Sequence, residues 1–378
     1  MARVRTVLKV AGVIVTISAL TAVLVSTGPT FARGGENDPL AVELSRWSSY
    51  VADNASTDPD WLQIKAAAEP ALKRAAEALR DGRRFLALVR LSSVKENLDA
   101  HAYVTALPAD SRDAAQLERE WHRMGGVLQD VLATPAGIDV ASIRPAALRA
   151  VAESALAKAR AYYHASLDYG RNSAPQYGLF YLGAAQAERS VVELCRRMSS
   201  SGGPAAPALR SLDPEIEALE QDLFAAYRPP ASIDRHDDFI VASALLKEAG
   251  ELDGLGLRYG ALLKYLQAAA RVPSLLGKVK PLDAAAVGAR LDDFEAPRGG
   301  TAAGGPRPRP ASDDSIARVL VEQARDELTS GPGGASPIAT AVVTDVLPRY
   351  AAAFRPATAR AAASNGLVTV TLVRWPYT

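Results

Sequence analysis

Histidine is the side chain best suited to acid–base chemistry and metal binding near neutral pH, and this 378-residue chain contains four of them. They are His101, His122, His164 and His236. None belongs to a Glu-x-x-His pattern, which places two metal ligands one turn apart in helical bundles. The nearest spacings are Glu118 with His122 and His164 with Asp168, each on one helix face. Such pairs are usually solvated contacts, so the sequence predicts no metal site.

Two other features could carry chemistry, a cluster of charged residues around His236 and the single cysteine, and we interpret both as structural. The cluster Asp234-Arg235-His236-Asp237-Asp238 is typical of a helix start, where carboxylates are stabilised by the partial positive charge of the helix N-terminus. The single cysteine, Cys195, lies in an apolar helical pattern and is expected to be a small buried core residue. With one cysteine, no intramolecular disulfide can form.

Motifs of the common enzyme classes are missing from the sequence. There is no Gly-x-Ser-x-Gly elbow, P-loop, dinucleotide fingerprint, zincin helix or Cys-x-x-Cys. Lysine plus arginine number 43 against 42 for aspartate plus glutamate, so no large net field attracts nucleic acid. We therefore predict no catalytic residue, no cofactor and no nucleic-acid partner.

Helices must position whatever chemistry the chain carries. Apolar residues make up 48% of the chain and aromatic residues only 6%, and alanine, the best helix former, is abundant. The helix predicted over 146–169 has a buried stripe at helical spacing. That stripe consists of Leu148, Ala152, Ala155, Ala159, Tyr162 and Ser166. The residues expected off the stripe are Glu153, Arg160, His164 and Asp168.

Asp-Pro steps mark three helix starts, at Asp38-Pro39, Asp58-Pro59 and Asp213-Pro214, with the aspartate as N-cap and proline in the first turn. Helix-period spacing recurs along most of the chain between breaks rich in glycine and proline. The predicted fold is therefore all-α: antiparallel helical hairpins that form a bundle or a short α-solenoid-like array.

Weak internal similarity accompanies this pattern. Arg84 to Arg90 resembles Arg258 to Lys264, and Asp237 to Ile240 resembles Asp313 to Ile316. True repetition and chance similarity among alanine- and leucine-rich helices both remain open, and the unit is too long for a tetratricopeptide repeat. If the hairpins stack, a shared groove would form, lined by Arg84, Phe85, Arg258 and Tyr259. In the alternative interpretation, each arginine lays its aliphatic stem over the neighbouring aromatic ring, and that ring is packed in the core.

The C-terminal residues 366–378 differ from the rest. Leu367 to Val373 is rich in β-branched residues and alternates in part with threonine, which predicts a short strand or extended tail after Asn365-Gly366. A lone strand must pair with another segment. Two interpretations stay open: a tail that adds a strand to a partner's sheet, and an extended tail packed across the helices.

The N-terminal residues 1–32 have the pattern of an export signal. Arg3, Arg5 and Lys9 precede the uncharged run from Val10 to Val25, and Thr30 and Ala32 suit cleavage before Arg33. The alternative is an uncleaved membrane anchor, since the run approaches the ~20 residues that span a bilayer. The mature chain is expected in the periplasm or outside the cell, or tethered to the inner membrane by the uncleaved helix.

These observations divide the chain into segments and suggest a class of function. After 1–32, they predict a helical domain over 33–297, a Gly/Pro-rich linker over 298–311, a helical hairpin over 312–365 packed on the main domain, and the tail. The leading hypothesis is a non-enzymatic scaffold or interaction module that binds another cell-envelope protein, with the C-terminal strand as one docking segment. The alternatives are a helical carrier of an apolar small molecule and an enzyme of unrecognised class.

Overall fold

The chain is all-helical throughout the part that the structure, a computed structural model, describes. The described residues are 38–133, 140–199, 209–229, 233–276, 279–280, 282–295, 316–330, 336–348 and 350. They form thirteen α-helices and no strand, which confirms the all-α prediction for this part of the chain. The predicted leader, the 298–311 linker and the C-terminal strand lie outside the described residues.

The helices are numbered here in chain order. The first seven are α1 (Pro39–Asp53), α2 (Pro59–Arg80), α3 (Arg84–Thr105), α4 (Ala114–Val127), α5 (Gln129–Leu132), α6 (Ala146–Asn172) and α7 (Pro175–Met198). The remaining six are α8 (Asp213–Ala226), α9 (His236–Gly254), α10 (Arg258–Leu275), α11 (Ala284–Glu295), α12 (Ile316–Ser330) and α13 (Pro337–Ala341). A π-helical turn over Val342–Val346 continues α13.

Consecutive helices pack as hairpins, and the helices α6 and α7 form the central pair. The most extensive packing joins α6 to α7, α9 to α10, α7 to α3, and α2 to α3. Helix α10 also packs on α6, so the α2–α3 hairpin meets α7 and the α9–α10 hairpin meets α6. The core that results is lined by leucine, alanine and valine side chains from all of these helices.

Glycines on α7 let the central helices approach each other closely. A Cβ atom at Gly183 would lie 2.7 Å from the Cα atom of Ala100 in α3, and one at Gly178 would lie 2.6 Å from the carbonyl oxygen of Ser166 in α6. Both distances are shorter than real Cβ contacts, so the missing side chains are a condition of this packing. Helix α7 therefore lies in backbone contact with both neighbours.

The α2–α3 and α9–α10 hairpins share one turn geometry. Each connection contains a glycine in the left-handed region, Gly82 with φ 76° and Gly256 with φ 75°. In both turns the glycine N–H donates to the carbonyl three residues back and the next N–H donates to the carbonyl five residues back, the Schellman arrangement. Each glycine also lies two residues before the arginine of the similar segments that begin at Arg84 and Arg258.

We expect Gly256→Ala to lower the free energy of unfolding by about 1 kcal/mol, because a Cβ atom disfavours the left-handed backbone. The matched control is Gly250→Ala in α9, where the added Cβ meets nothing within 4 Å. There, alanine should raise the free energy of unfolding by up to ~1 kcal/mol, since it is the better helix former. Urea denaturation followed by circular dichroism measures both; effects of the same sign would contradict the assignment.

Two of the three predicted helix starts have the expected cap. Asp38 accepts a hydrogen bond from the N–H of Leu40 at 3.1 Å, and Asp58 from that of Asp60 at 2.9 Å. The prediction for Asp213 was wrong by one residue, because α8 begins at Asp213 itself and Leu212 is the N-cap. No side chain caps the first turn of α8, and the N–H of Leu212 itself donates to Asp253 of α9 at 3.1 Å.

Candidate functional site

Four ionisable side chains meet where α3, α6 and α7 pack together: Glu96, Lys158, Tyr162 and Glu188. The Tyr162 hydroxyl donates to Glu96 Oε1 at 2.5 Å, and Lys158 Nζ donates to Glu96 Oε2 at 3.2 Å. Lys158 Nζ also lies 3.6 Å from Glu188 Oε1. Lys158 and Tyr162 are one turn apart on α6, so they face the other two helices together. We call these four residues the inner cluster.

Glu188 is the most enclosed member of the inner cluster. The residue is 1% exposed, and neither carboxyl oxygen accepts a hydrogen bond from the described residues. Burial raises the pKa of Glu188 to about 8, and the negative charge of Glu96 adds to the effect, while Lys158 opposes it. The carboxyl therefore keeps its proton near neutral pH and can donate it in a hydrogen bond to Glu96.

The other two members whose pKa is shifted, Lys158 and Tyr162, also keep their protons at neutral pH. Burial disfavours the charge on Lys158, but Glu188 and Glu96 outweigh it and raise the lysine pKa well above its ordinary value. Burial and the neighbouring Glu96 also raise the pKa of the Tyr162 hydroxyl. At neutral pH the cluster thus contains a cationic lysine, a neutral tyrosine and a protonated Glu188.

A second ionic cluster lies between α1 and α3. Lys95, which is 1% exposed, pairs with Asp99 and lies 3.1 Å from Glu43 Oε1. The indole N–H of Trp47 donates to the same Glu43 oxygen at 3.0 Å. Burial raises the pKa of Asp99, although Lys95 opposes this shift. The lysine is thus surrounded by acceptors, which is how a buried ammonium group is stabilised.

Each of the four histidines contacts an aromatic ring, and two of them, His122 and His164, share one aromatic group because Trp121 and Tyr163 stack on each other at 5.1 Å. His101 is buried, with its ring 4.7 Å from Trp61, and burial lowers its pKa. The other three contact the rings of Trp121, Tyr163 and Tyr227 respectively. Glu118 forms an ion pair with Arg171 at 3.2 Å. Among the described residues no group of three or more potential ligands is placed to hold a metal ion.

Cys195 and the paired aromatic residues lie in the core. Cys195 is fully buried, as predicted, and burial raises the pKa of its thiol, which disfavours the reactive thiolate. Phe85 and Tyr259 are 7% and 2% exposed, so they do not line a groove. The guanidinium over Tyr259, 4.9 Å from the ring centroid, belongs to Arg149 rather than to the neighbouring Arg258.

The expectation that Glu153 lies off the buried stripe of its helix was wrong. Glu153 is 0% exposed, and its two oxygens accept hydrogen bonds from the Gly260 N–H and from Arg149 Nε, each at 2.8 Å. The carboxylate therefore caps the first turn of α10 from α6. A free backbone N–H and a guanidinium together stabilise a buried carboxylate, which explains its burial.

Glu322 of α12 has the same role toward the other hairpin. It accepts hydrogen bonds from the Leu86 N–H of α3 and from Arg318 Nε, the latter at 2.9 Å. Both caps belong to an Arg-x-x-x-Glu segment, Arg149 to Glu153 and Arg318 to Glu322. The same spacing at Arg189 and Glu193 leaves that glutamate partly exposed, so the spacing alone does not identify the two buried caps.

An exposed aromatic cluster lies where α8 meets α9. Phe224 is 53% exposed, and its ring lies 6.0 Å from that of Phe239. Tyr227 stacks on Phe239 at 4.1 Å, and its hydroxyl is 2.7 Å from His236 Nδ1. Ile233, 54% exposed, begins the short turn just before α9. We call Phe224, Tyr227, His236 and Phe239 the aromatic tip.

Comparison with known proteins gives no relative from which to transfer a function. Protein-family models, curated proteins and solved structures each yielded no match to this chain. Within the described part of the chain, none of the helices combines the length and apolar character needed to cross a membrane. The class that the fold and the sites define is thus an all-α protein with enclosed ionic clusters and an exposed aromatic tip.

Proposed function

We propose that this protein is a non-enzymatic, exported helical module, a bundle or short solenoid of hairpins, that binds another protein of the cell envelope. The observation that carries the proposal is the aromatic tip, which places a half-exposed phenylalanine among three further rings on the surface. Single exposed apolar residues are normal on protein surfaces, whereas grouped ones are typical of docking sites. Export rests on the pattern of residues 1–32.

The described geometry favours this function over the two alternatives. Catalysis by the histidines would need them in one cleft with carboxylates. His101 is instead buried against Trp61, and His236 contacts Tyr227 in the aromatic tip. His122 and His164 are exposed beside the stacked rings of Trp121 and Tyr163. A carrier would need space between hairpins, and at Gly183 helix α7 is in backbone contact with α3 of the neighbouring hairpin. A groove of about 360 Å³ lies near the end of α10, with Lys280 and Asp345 among its lining residues. No residue of the two ionic clusters or of the aromatic tip lines it.

The test is affinity purification from native envelopes, read out by mass spectrometry. The baits are the full chain, a version that ends at Asn365, and Phe224→Ser. Leu62→Ser is the control, because Leu62 is 51% exposed on α2 and distant in sequence from the tip. We expect one specific partner to be retained by the full chain and the control and lost from at least one other bait. The absence of a specific partner from the full chain would overturn the proposal.

A further inference from the structure

The helix pair α8 and α9, which carries the aromatic tip, is strongly acidic in sequence, although the whole chain has a formal net charge of only +1. From Asp213 to Gly254 the sequence contains eleven carboxylates and three lysines or arginines. Helix α8 alone has five carboxylates and no lysine or arginine. Part of this charge is paired, since Arg210 lies against Glu215 and Lys264 against Glu248. The carboxylates that form no ion pair among the described residues include Glu217, Glu220 and Asp237, and these supply the negative charge near the exposed aromatic side chains.

The exposed surface of α8 joins these two properties. Glu217, Glu220, Gln221 and Phe224 follow the spacing of one helix face, and all four are exposed. The carboxylates of Glu217 and Glu220 thus lie within two turns of the Phe224 ring on the same face. At the start of α9, Asp237 is exposed next to His236 of the tip.

From this juxtaposition we propose that the aromatic tip, with Glu217, Glu220 and Asp237, binds a basic segment of a partner polypeptide that inserts an apolar side chain against Phe224. The inference rests on the proposed interaction function and names the chemistry of the partner. A concentrated negative field attracts lysine and arginine side chains and repels nucleic acid and anionic lipid surfaces. Burial of Phe224 supplies the anchor, since aromatic side chains dominate interface energetics.

The experiment uses the full chain and a defined probe. The probe is a labelled 18-residue peptide that forms an amphipathic helix, with leucine on one face and lysine on the other. The control peptide has glutamate in place of each lysine. Fluorescence anisotropy gives Kd at 50 and 300 mM salt. We expect the Lys/Leu peptide to bind, its Kd to rise at least tenfold at high salt, and the Glu/Leu peptide to bind at least tenfold more weakly.

Substitutions then locate the binding surface. Phe224→Ser and the double variant Glu217→Gln/Glu220→Gln should each raise Kd for the Lys/Leu peptide at least tenfold, whereas Leu62→Ser should leave it unchanged. All of these residues are exposed, and an unchanged circular dichroism spectrum and melting curve would show that each variant folds. Equal affinity of Phe224→Ser and the natural chain would overturn the assignment of this surface.

Two further outcomes separate this inference from the proposed function. If an envelope partner is lost on truncation at Asn365 while the Phe224 and Glu217/Glu220 variants bind the probe normally, the interaction function stands and the tip assignment fails. If sedimentation velocity shows dimers of the natural chain that Phe224→Ser abolishes, the occupant is a second copy, and the basic partner is overturned.

Discussion

A Glu153→Ala variant is expected to have a free energy of unfolding about 3 kcal/mol below that of the natural chain. The substitution leaves the Gly260 N–H at the start of α10 without its acceptor, and Arg149 without its carboxylate. Loss of one partner from a buried, hydrogen-bonded charge pair costs about 3–5 kcal/mol, much of it as desolvation of the group left behind. Because Glu153 is fully buried, water cannot easily reach the Gly260 N–H, whereas the partly exposed Arg149 can be solvated. Urea denaturation followed by circular dichroism gives the value.

Two controls make that result specific to the cap. Glu193→Ala on α7 removes a partly exposed carboxylate that pairs with Arg196 at 3.2 Å, and should change the free energy of unfolding by less than about 1 kcal/mol. Glu153→Gln keeps an oxygen acceptor for the Gly260 N–H and should recover part of the loss. If Glu153→Ala behaves like Glu193→Ala, the carboxylate does not stabilise the contact between α6 and α10.

The natural chain is expected to lose stability through Glu188 as the pH rises from 5 to 8. The folded-state pKa of about 8 lies above the ordinary value of 4.5, because burial disfavours the charged carboxylate. Between these two values the folded chain holds a proton that the unfolded chain has released, so stability falls as pH increases. Proton linkage sets the loss on the order of 3–4 kcal/mol. The raised pKa of Lys158 acts only above its ordinary value of 10.5, outside this window.

Glu188→Gln should remove most of this pH dependence, because glutamine cannot ionise and its amide can still donate to Glu96. Urea denaturation at pH 5, 6, 7 and 8 compares the variant with the natural chain. Glu193→Gln, on the same helix and partly exposed, serves as control and should follow the natural chain. A constant difference in free energy between natural chain and Glu188→Gln across these pH values would show that Glu188 ionises normally.

Both predictions concern carboxyl groups that join helices distant in sequence. Glu153 holds the start of α10 on α6, and Glu322 holds the start of α3 on α12. The inner cluster joins α3, α6 and α7. We interpret these groups as determinants of how the hairpins pack, a role that buried ionic groups have in some other folds. This interpretation is compatible with the proposed function, which assigns binding to the exposed aromatic tip and not to the buried ionic groups.

Local features of the chain were predictable from sequence. Helix-period spacing and abundant alanine predicted the all-α architecture, because the apolar residues on the buried face of a helix recur within a few turns of sequence. Asp38 and Asp58 were identified as caps from the proline that follows each of them, and Cys195 as a core residue from its apolar neighbours. Each of these inferences depends on residues within about one or two turns of the position concerned.

Only the tertiary structure decided which charged side chains are buried. Glu153 appears in the sequence as a polar residue off an apolar stripe, yet its acceptor role depends on Gly260, 107 positions away. Glu188 looks like an ordinary surface residue until α3 and α6 enclose it beside Glu96 and Lys158. The aromatic tip likewise needs Phe224 and Phe239 from two helices. Burial of a charge depends on donors and acceptors brought by distant segments, and apolar periodicity contains no information about them.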